Sequence, residues 1–452
     1  MRPRIRFRAQ DSKGSDLSSG GQSVAVLDVD LADPVPSLPE PAPGLSRPGS
    51  ADVLVRLHGH VLGLLKCQTV EGALPAARLA EEIWQAFSGV VVDHLRRDGL
   101  PGPAALPVGG LGAATAVACP SRPALEVTPL VTVVIPTYDR PERLLPCVES
   151  VLRQSYPHLE VVVVDNAPHR PPTAVAERFA DDPRVRFLTQ PVPGTSAARN
   201  RGLEAARGEM VAFLDDDVVA DRGWLEAVVR SFLADTQVRV VTGLILPAEL
   251  ETAAQLWMEQ YGGFNKGYAE RKYDLAEHQD PSPLYPFLPG RFGSGANMAF
   301  RTDDLRAVGG FDLALGPATP TFGGEDIDVL LTLVRSGRRL LYQPDALVWH
   351  YHRREAVDVA RQIYRYGVGL GAVLAKHGLH DRRGAAAILR RVPSGVTFLL
   401  SSESDKNAAK VGRNYPARLT AAELAGLGMG PVALLRSRHT AGSRVLATRG
   451  AN

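Results

Sequence analysis

The stretch from Val211 to Val218 reads Val-Ala-Phe-Leu-Asp-Asp-Asp-Val, four apolar residues followed directly by three carboxylates. A short, bounded apolar run is typical of a buried β-strand. At the end of such a strand Asp215, Asp216 and Asp217 emerge at the C-terminal edge of a sheet, where open α/β folds bind ligands. Because side chains alternate along an extended chain, we expect Asp215 and Asp217 on one face. Two such carboxylates suit Mg²⁺ or Mn²⁺, whereas the alternative is a solvated turn of aspartates.

The composition narrows the class of protein. The 452 residues suffice for more than one domain, and the formal net charge of +2 gives no strong attraction to nucleic acid. The three cysteines lack a metal-type spacing, and no apolar run approaches the roughly 20 residues that span a bilayer. No signal-peptide pattern follows the first arginines, so we expect a cytoplasmic protein.

Both ends of the chain are basic. A basic C-terminal tail is either solvated or in contact with the inner face of a membrane, so peripheral membrane contact stays open as an alternative. The arginines concerned are Arg2, Arg4, Arg6, Arg8, Arg436, Arg438, Arg444 and Arg449.

The N-terminal part differs in amino-acid composition from the rest of the chain. Residues 1–50 are rich in serine, glycine and proline, and we expect most of them to be disordered. Residues 51–100 are expected to form a small α+β domain in which His58-Gly59-His60 is the turn of a β-hairpin. Two histidines without a partner cluster are more often turn residues than metal ligands. The Pro/Gly/Ala-rich residues 101–128 are expected to be a linker.

Residues 129–352 alternate between strand and helix patterns, which predicts an α/β domain with a mostly parallel sheet and flanking helices. The first strand ends in Pro136 to Arg140, with the polar residues Thr137, Tyr138 and Asp139, and the second ends in Asp165. Together with the aspartate triplet they predict a ligand site at one sheet edge. Residues 353–452 are expected to form a helical C-terminal region.

Several side chains near that edge have identifiable chemistry. A carboxylate such as Asp165 at a strand end accepts hydrogen bonds from a base or a ribose hydroxyl. Arg199 either faces phosphate charge or forms a surface salt bridge. No G-x-G-x-x-G follows the first strand and no P-loop motif is present, so the usual dehydrogenase and P-loop interpretations lose their main support.

The motif Gly323-Gly324-Glu325-Asp326 precedes an apolar helix. Acidic residues are favoured at a helix N-terminus by the dipole, and the alternative for Asp326 is a simple capping role. His350 follows an apolar run, where a core histidine is commoner than a metal ligand.

Taken together, residues 131–350 resemble the family 2 glycosyltransferases, which adopt the GT-A fold. No single motif is specific, but all occur in the order seen in the family. The matching segments are Val133 to Tyr138, Val164 to Asn166, Thr195 to Gly202, Phe213 to Asp217, Gly295 to Phe300, Gly309 to Asp312 and Gly324 to Asp326.

The resemblance implies inverting transfer of a sugar from a UDP-, GDP- or dTDP-linked donor to an acceptor hydroxyl. It places Asp215 and Asp217 at the D-x-D positions that bind Mg²⁺ or Mn²⁺. His350 is kept, apart from the resemblance, as a possible further ligand. It makes Asp326 the general base, with Glu325 as the second candidate. The residues assigned to donor binding are Pro136, Thr137, Tyr138, Asp139, Asp165, Arg199, Asp216, Asn297 and Met298.

Such enzymes serve glycan, cell-envelope, glycolipid or natural-product biosynthesis, and the acceptor stays open. Two other classes are alternatives. A sugar nucleotidyltransferase needs a glycine-rich phosphate loop with a lysine after the first strand, and residues 136–140 contain neither. A non-catalytic nucleotide-sugar-binding module would lose the acids, and all of these are present.

Overall fold

The computed structural model describes residues 23–41, 47–112, 119, 122–167, 169–380, 382–408, 410 and 415–449. The chain divides into two compact units. The first contains the described residues up to Glu126 together with residues 247–256 and 352–356, and the second contains the remainder. Among the described residues, no helix is long and apolar enough to cross a membrane. The first arginines of the chain, from Arg2 to Arg8, lie outside the described residues.

The first unit is a three-stranded sheet with one long helix. Strands β1 and β2 pair in parallel, and β2 pairs with β3 in antiparallel orientation. Apolar residues of both the sheet and the helix, such as Val53 and Ile83, are completely buried in a shared core. The elements are β1 (Val24–Asp30), β2 (Ser50–Leu57), β3 (His60–Gln68) and α1 (Ala76–Arg97).

Two stretches outside the predicted bounds of the small α+β domain belong to this unit. Residues 23–41 are ordered, because the alternating apolar residues of β1 pair with β2 and Leu31 is fully buried. Strand β1 could not be recognised from the average composition of residues 1–50. Residues 1–22 and 42–46 lie outside the part of the chain that the structure describes. The start of the expected linker also packs on the unit, since the N–H of Leu111 donates to the carbonyl of Leu31 at 2.8 Å.

We expect Leu31→Ala to lower the free energy of unfolding of the first unit by about 2–5 kcal/mol, because it removes a fully buried side chain and leaves a cavity. Hydrogen exchange of β2 peptides in the full chain measures this local stability. Val90→Ala, at a side chain that is 49% exposed on α1, is the matched control. Equal exchange in the two variants would show that the segment around Leu31 is not part of the core.

The second unit is built on a mixed nine-stranded sheet. Four neighbouring strands are parallel, in the order β6-β5-β4-β7, and the pairs β7–β11, β9–β11, β8–β12 and β10–β12 are antiparallel. The strands are β4 (Val131–Thr137), β5 (Leu159–Asp165), β6 (Val185–Thr189), β7 (Met210–Leu214), β8 (Val218–Ala220), β9 (Val238–Pro247), β10 (Arg271–Tyr273), β11 (Asn297–Arg301) and β12 (Arg339–His350).

Helices flank this sheet, which confirms the predicted α/β class. They are α2 (Pro141–Leu152), α3 (Thr173–Arg178), α4 (Thr195–Ala205), α5 (Trp224–Ala234), α6 (Ala253–Tyr261), α7 (Thr302–Ala307) and α8 (Glu325–Arg335). Helix α6 was not predicted, because the many aromatic residues of this stretch hide the spacing of apolar residues that is typical of a helix. The aspartate triplet lies in the turn between β7 and β8 and not on the strand itself.

The C-terminal region is helical, as predicted. Its helices are α9 (Ala356–His380), α10 (Arg382–Leu400), α11 (Asp405–Ala408) and α12 (Ala417–Arg449). The glycines of α9 do not interrupt it, because they allow close backbone packing: Gly367 and Gly371 lie where α12 crosses, and Gly369 lies against Gly323 and Gly324. A Cβ added at Gly367 would lie 2.2 Å from the carbonyl oxygen of Glu423, so the two helix backbones touch there.

Candidate active site

The ends of three parallel strands meet at one edge of the sheet of the second unit. Strands β4 and β5 pair so that Thr137 is in register with Asp165, and β7 is the other neighbour of β4. Asp165 is buried, and its Oδ1 accepts a hydrogen bond from the N–H of Ala167 at 2.9 Å. The polar strand ends therefore share one edge, as the sequence pattern predicts.

The middle aspartate of the triplet turns inward. Asp216 is 6% exposed, and its carboxylate accepts a hydrogen bond from the hydroxyl of Thr137 at 2.8 Å. A guanidinium nitrogen of Arg140 lies 3.4 Å from its other oxygen. Burial, together with the charge of Asp217, raises the pKa of Asp216 to about 6, although Arg140 and Thr137 oppose the rise. Asp216 therefore links β4 to the turn and does not face an incoming ligand.

The outer two aspartates are more accessible, with side chains that are 35% (Asp215) and 14% (Asp217) exposed. Asp217 lies 3.1 Å from a guanidinium nitrogen of Arg140 and 3.4 Å from Nε2 of His350. His350 reaches this position because β12 pairs with β8 and sets His350 opposite Val218.

The electrostatics of the outer pair suit a cation. Burial raises the pKa of Asp215, Arg199 opposes that rise, and the charge of Asp217 adds to it. A divalent cation relieves the repulsion between two such carboxylates, and hard oxygen ligands are the ones that Mg²⁺ and Mn²⁺ prefer. The residues present therefore fit a divalent metal.

Arg199 joins the triplet to helix α8. Its side chain is 2% exposed, and its guanidinium lies 2.8 Å from Oδ1 of Asp215 and 3.0 Å from Oε1 of Glu325. It also donates to the carbonyl of Gly295 at 3.3 Å. This buried geometry is neither a surface salt bridge nor a direct approach to phosphate, the two alternatives that the sequence left open.

Helix α8 begins with two acids in different surroundings. Glu325 is 6% exposed, and its Oε2 is buried without a hydrogen-bond partner among the described residues. Burial, together with the charge of Asp326, raises the pKa of Glu325 to about 7, against the opposing effect of Arg199. Glu325 is thus held by Arg199 inside the protein.

Asp326 is half-buried and points toward Gly295. Its Oδ2 accepts a hydrogen bond from the N–H of Gly295 at 2.7 Å, and its Oδ1 accepts one from the N–H of Ile327 at 2.8 Å. Gly324, at φ 95°, makes this start of the helix possible, since a Cβ there would lie 2.9 Å from the carbonyl oxygen of Gly369. The turn before α8 therefore fixes the carboxylate of Asp326.

Two predicted donor-binding residues belong to the core. Asn297 is 1% exposed; its Oδ1 accepts from the indole N–H of Trp224 at 2.8 Å, and its Nδ2 donates to the carbonyls of Leu244 and Ala346. Met298 is likewise 1% exposed on β11. These contacts assign Asn297 a structural role between strands.

The remaining predicted residues lie around the end of β4. Pro136 is buried within the strand, whereas Tyr138 is 62% exposed. Asp139 adopts a left-handed backbone conformation at φ 54° and pairs with Arg170 at 2.8 Å. Tyr138 is the one of these whose exposed ring is available to stack on a base.

Sequence reasoning missed two side chains. Arg140 stands in a quoted motif but received no role, although its position directly after three polar residues at a strand end was a signal. Tyr366 of α9 gave no signal in the sequence, because it lies beyond the motifs that match the family. Burial raises the pKa of Tyr366, and the carboxylates of Asp326 and Asp215 add to this rise, which places the phenol in their electrostatic reach.

Comparisons with known proteins identify the family of the chain. Residues 132–305 match the model of the family described as Glycosyl transferase family 2. A "Pre-mycofactocin glycosyltransferase" of Mycobacterium tuberculosis is 30% identical over 249 residues, which are 55% of this chain and 48% of that protein. "Glycosyltransferase AglE" of Haloferax volcanii is 37% identical over 245 residues, which are 53% of this chain and 73% of that protein. This chain thus spans about half the length of the first relative and more of the second.

A solved structure was also found. The mannosyltransferase PcManGT from Pyrobaculum calidifontis, solved in complex with GDP-Man and Mn²⁺, has a TM-score of 0.45 and 19% sequence identity. The match covers 68% of this chain and 88% of that one.

Proposed function

The chain belongs to glycosyltransferase family 2, and we propose that it transfers a sugar from a nucleotide-diphosphate donor to an acceptor hydroxyl with inversion at the anomeric carbon. One observation carries this proposal. The carboxylate of Asp326 is half-buried and held by two backbone N–H groups, within one residue of an ion-pair chain that leads through Arg199 to the aspartate triplet. The proposed base is thereby adjacent in sequence to the residue that ion pairs link to the proposed cation site.

Asp326 is the proposed general base. It accepts the proton of the acceptor hydroxyl while that oxygen attacks the anomeric carbon, and the sugar passes through an oxocarbenium-like state. Glu325 does not compete for this role, because Arg199 holds one of its oxygens and the other is buried. We therefore treat Glu325 as a positioning residue.

Asp215 and Asp217 are the residues that would hold Mg²⁺ or Mn²⁺, with His350 beside Asp217. When bound there, the cation supplies positive charge to the leaving diphosphate. Arg199 acts indirectly on this site. It orients the carboxylate of Asp215, and its buried side chain offers no surface that the donor could contact.

The nucleoside of the donor is proposed to lie at the ends of β4 and β5. Asp165 offers a carboxylate oxygen to a base or ribose donor, and the exposed ring of Tyr138 offers a stacking surface. This placement puts the diphosphate between the β4 end and the aspartate turn.

Incubation of the purified chain with Mn²⁺ and a panel of UDP-, GDP- and dTDP-sugars tests the activity. We expect slow hydrolysis of one donor class, because water replaces the missing acceptor. The Asp326→Asn chain is the blank, since it keeps the donor site. Hydrolysis of every donor at no more than the rate of that blank would contradict the proposal.

The metal assignment predicts that Asp217→Asn weakens Mn²⁺-dependent UDP or GDP binding by at least about tenfold, because a neutral amide is a poor partner for a hard cation. Calorimetric titration of the nucleotide at several Mn²⁺ concentrations measures it. Asp303→Asn is the control of equal charge change, at a side chain that is 97% exposed on α7. Unchanged affinity and metal dependence in Asp217→Asn would show that the triplet is a structural turn.

A further inference from the structure

Four side chains with metal-binding atoms converge in the first unit, away from the aspartate triplet in sequence. We call them the His58 cluster, and its members are His58, His94, Asp98 and Cys119. One donor atom from each lies within 4.8 Å of the others. Sequence reasoning saw only a histidine turn, because the partners are supplied by positions 36 to 61 residues further along the chain.

The distances within the cluster are close to those of a coordination shell. Nε2 of His94 lies 3.1 Å from Nδ1 of His58, 3.1 Å from Oδ2 of Asp98 and 3.5 Å from Sγ of Cys119. A tetrahedral Zn²⁺ with bonds of about 2.0–2.3 Å sets its ligand atoms about 3.3–3.7 Å apart. The three distances from Nε2 of His94 therefore differ from those of a zinc shell by at most a few tenths of an ångström.

Three separate parts of the unit hold these side chains. His58 stands in the turn between β2 and β3 with φ 54°, a left-handed conformation that is uncommon for a residue other than glycine. His94 and Asp98 are four residues apart at the end of α1, so they share one face of the helix. Cys119 comes from the segment after the helix. An ion here would tie the hairpin, the helix and that segment together.

Charge and burial also favour a cation. The Asp98 side chain is 2% exposed and stands at the C-cap of α1, where the helix dipole disfavours a negative charge. It contacts two imidazoles and a thiol, none of which carries a fixed positive charge. Nε2 of His58 is buried without a hydrogen-bond partner among the described residues, so the ring is held in the cluster through Nδ1.

We propose that the His58 cluster binds Zn²⁺ through four protein ligands and stabilises the first unit. Imidazole nitrogen, thiolate sulfur and carboxylate oxygen are the ligands that Zn²⁺ takes, and four protein ligands make a closed, structural site. Binding displaces the thiol proton of Cys119 to solvent, since the thiolate is the ligand. The rival is a cluster joined by hydrogen bonds alone.

Cobalt substitution distinguishes the two. We expect the full chain, stripped with a chelator, to take up Co²⁺ with a thiolate-to-cobalt charge-transfer band that stoichiometric Zn²⁺ then removes. Co²⁺ at Asp215 and Asp217 gives no such band, because those ligands are oxygens. Zinc should also raise the melting temperature of the stripped chain.

Variants identify the cysteine that gives rise to the charge-transfer band. Cys119→Ser should abolish it and weaken Zn²⁺ binding by at least about tenfold, as measured by competition with a chromophoric chelator. Cys67→Ala, at a buried cysteine of the same unit, should keep both. The spectrum of the parent chain decides the matter even where Cys119→Ser fails to fold. No charge-transfer band in the parent chain, or a band that persists in Cys119→Ser, would overturn the proposal.

Discussion

Replacing Asp326 by asparagine should leave donor affinity close to that of the parent chain while kcat falls about 10²–10⁴-fold, or about 3–5 kcal/mol of barrier. The carboxylate is fixed by the N–H groups of Gly295 and Ile327, and it is the accessible acid at the start of α8. An amide of the same shape keeps the position but has no basic oxygen for the acceptor proton. The loss therefore falls on the chemical step.

The same substitution separates catalysis from helix capping. Asparagine is as good a capping residue as aspartate, so a purely structural Asp326 would tolerate the change. Only one of its two backbone hydrogen bonds is lost, which costs about 0.5–1.5 kcal/mol of stability. A melting curve should therefore shift little while turnover collapses.

Donor affinity by calorimetry and kcat by product release are measured on one preparation. Asp328→Asn is the matched control, because Asp328 lies on the same helix but pairs with Lys376 at 2.7 Å and His377 at 3.1 Å. It should lose stability and retain kcat. A near-parental kcat in Asp326→Asn would contradict the assignment and make Glu325 the next candidate.

Local patterns in the sequence were sufficient to predict the strands that carry the candidate active site. The apolar runs before Thr137, Asp165 and Asp215 are continuous because parallel strands are buried on both faces, and such runs are easily read. The order of the motifs then located the acids of α8. Asp216 is buried against Thr137 in the turn after β7, and its other oxygen shares a guanidinium nitrogen of Arg140 with Asp217, which the alternation of a strand does not predict.

Contacts between distant positions were not predictable in this way. Arg199 and Glu325 are separated by 126 residues, and nothing in either local pattern states that they pair. Asn297 looks like a ligand-binding residue because it is polar in an apolar segment, yet strand packing uses all of its hydrogen-bonding groups. The His58 cluster was hidden for the same reason, since its ligands come from three elements.

The ion-pair chain from Glu325 through Arg199 to Asp215 carries the second large expected effect. We expect Arg199→Met to lower the free energy of unfolding by about 3–5 kcal/mol at pH values well above 7, because it leaves two carboxylates without their buried counter-charge. Glu325 is the more affected, since its Oε2 is buried and unpartnered among the described residues. Packing is largely kept, as methionine fills much of the volume.

The effect should depend on pH in a definite direction. The pKa of Glu325 is raised from 4.5 to about 7 in the folded state, so the folded protein holds this proton more tightly than the unfolded chain does. The resulting stabilisation is complete below pH 4.5 and is lost as the pH rises through 7. Loss of Arg199 raises the folded-state pKa further. The stability deficit of Arg199→Met relative to the parent chain should therefore grow as the pH rises above about 7.

Urea unfolding on either side of pH 7 measures this deficit, with Arg201→Met as the control. Arg201 lies on the same helix, and its pair with Glu204 at 3.4 Å is exposed, so its loss should cost no more than about 1 kcal/mol. Adding Glu325→Gln to Arg199→Met should recover part of the stability, because the buried charge is removed with its partner. Equal stabilities of Arg199→Met and Arg201→Met at both pH values would mean that Arg199 does not stabilise the buried Glu325. In that case the ion-pair chain would not hold the aspartate turn to the start of α8.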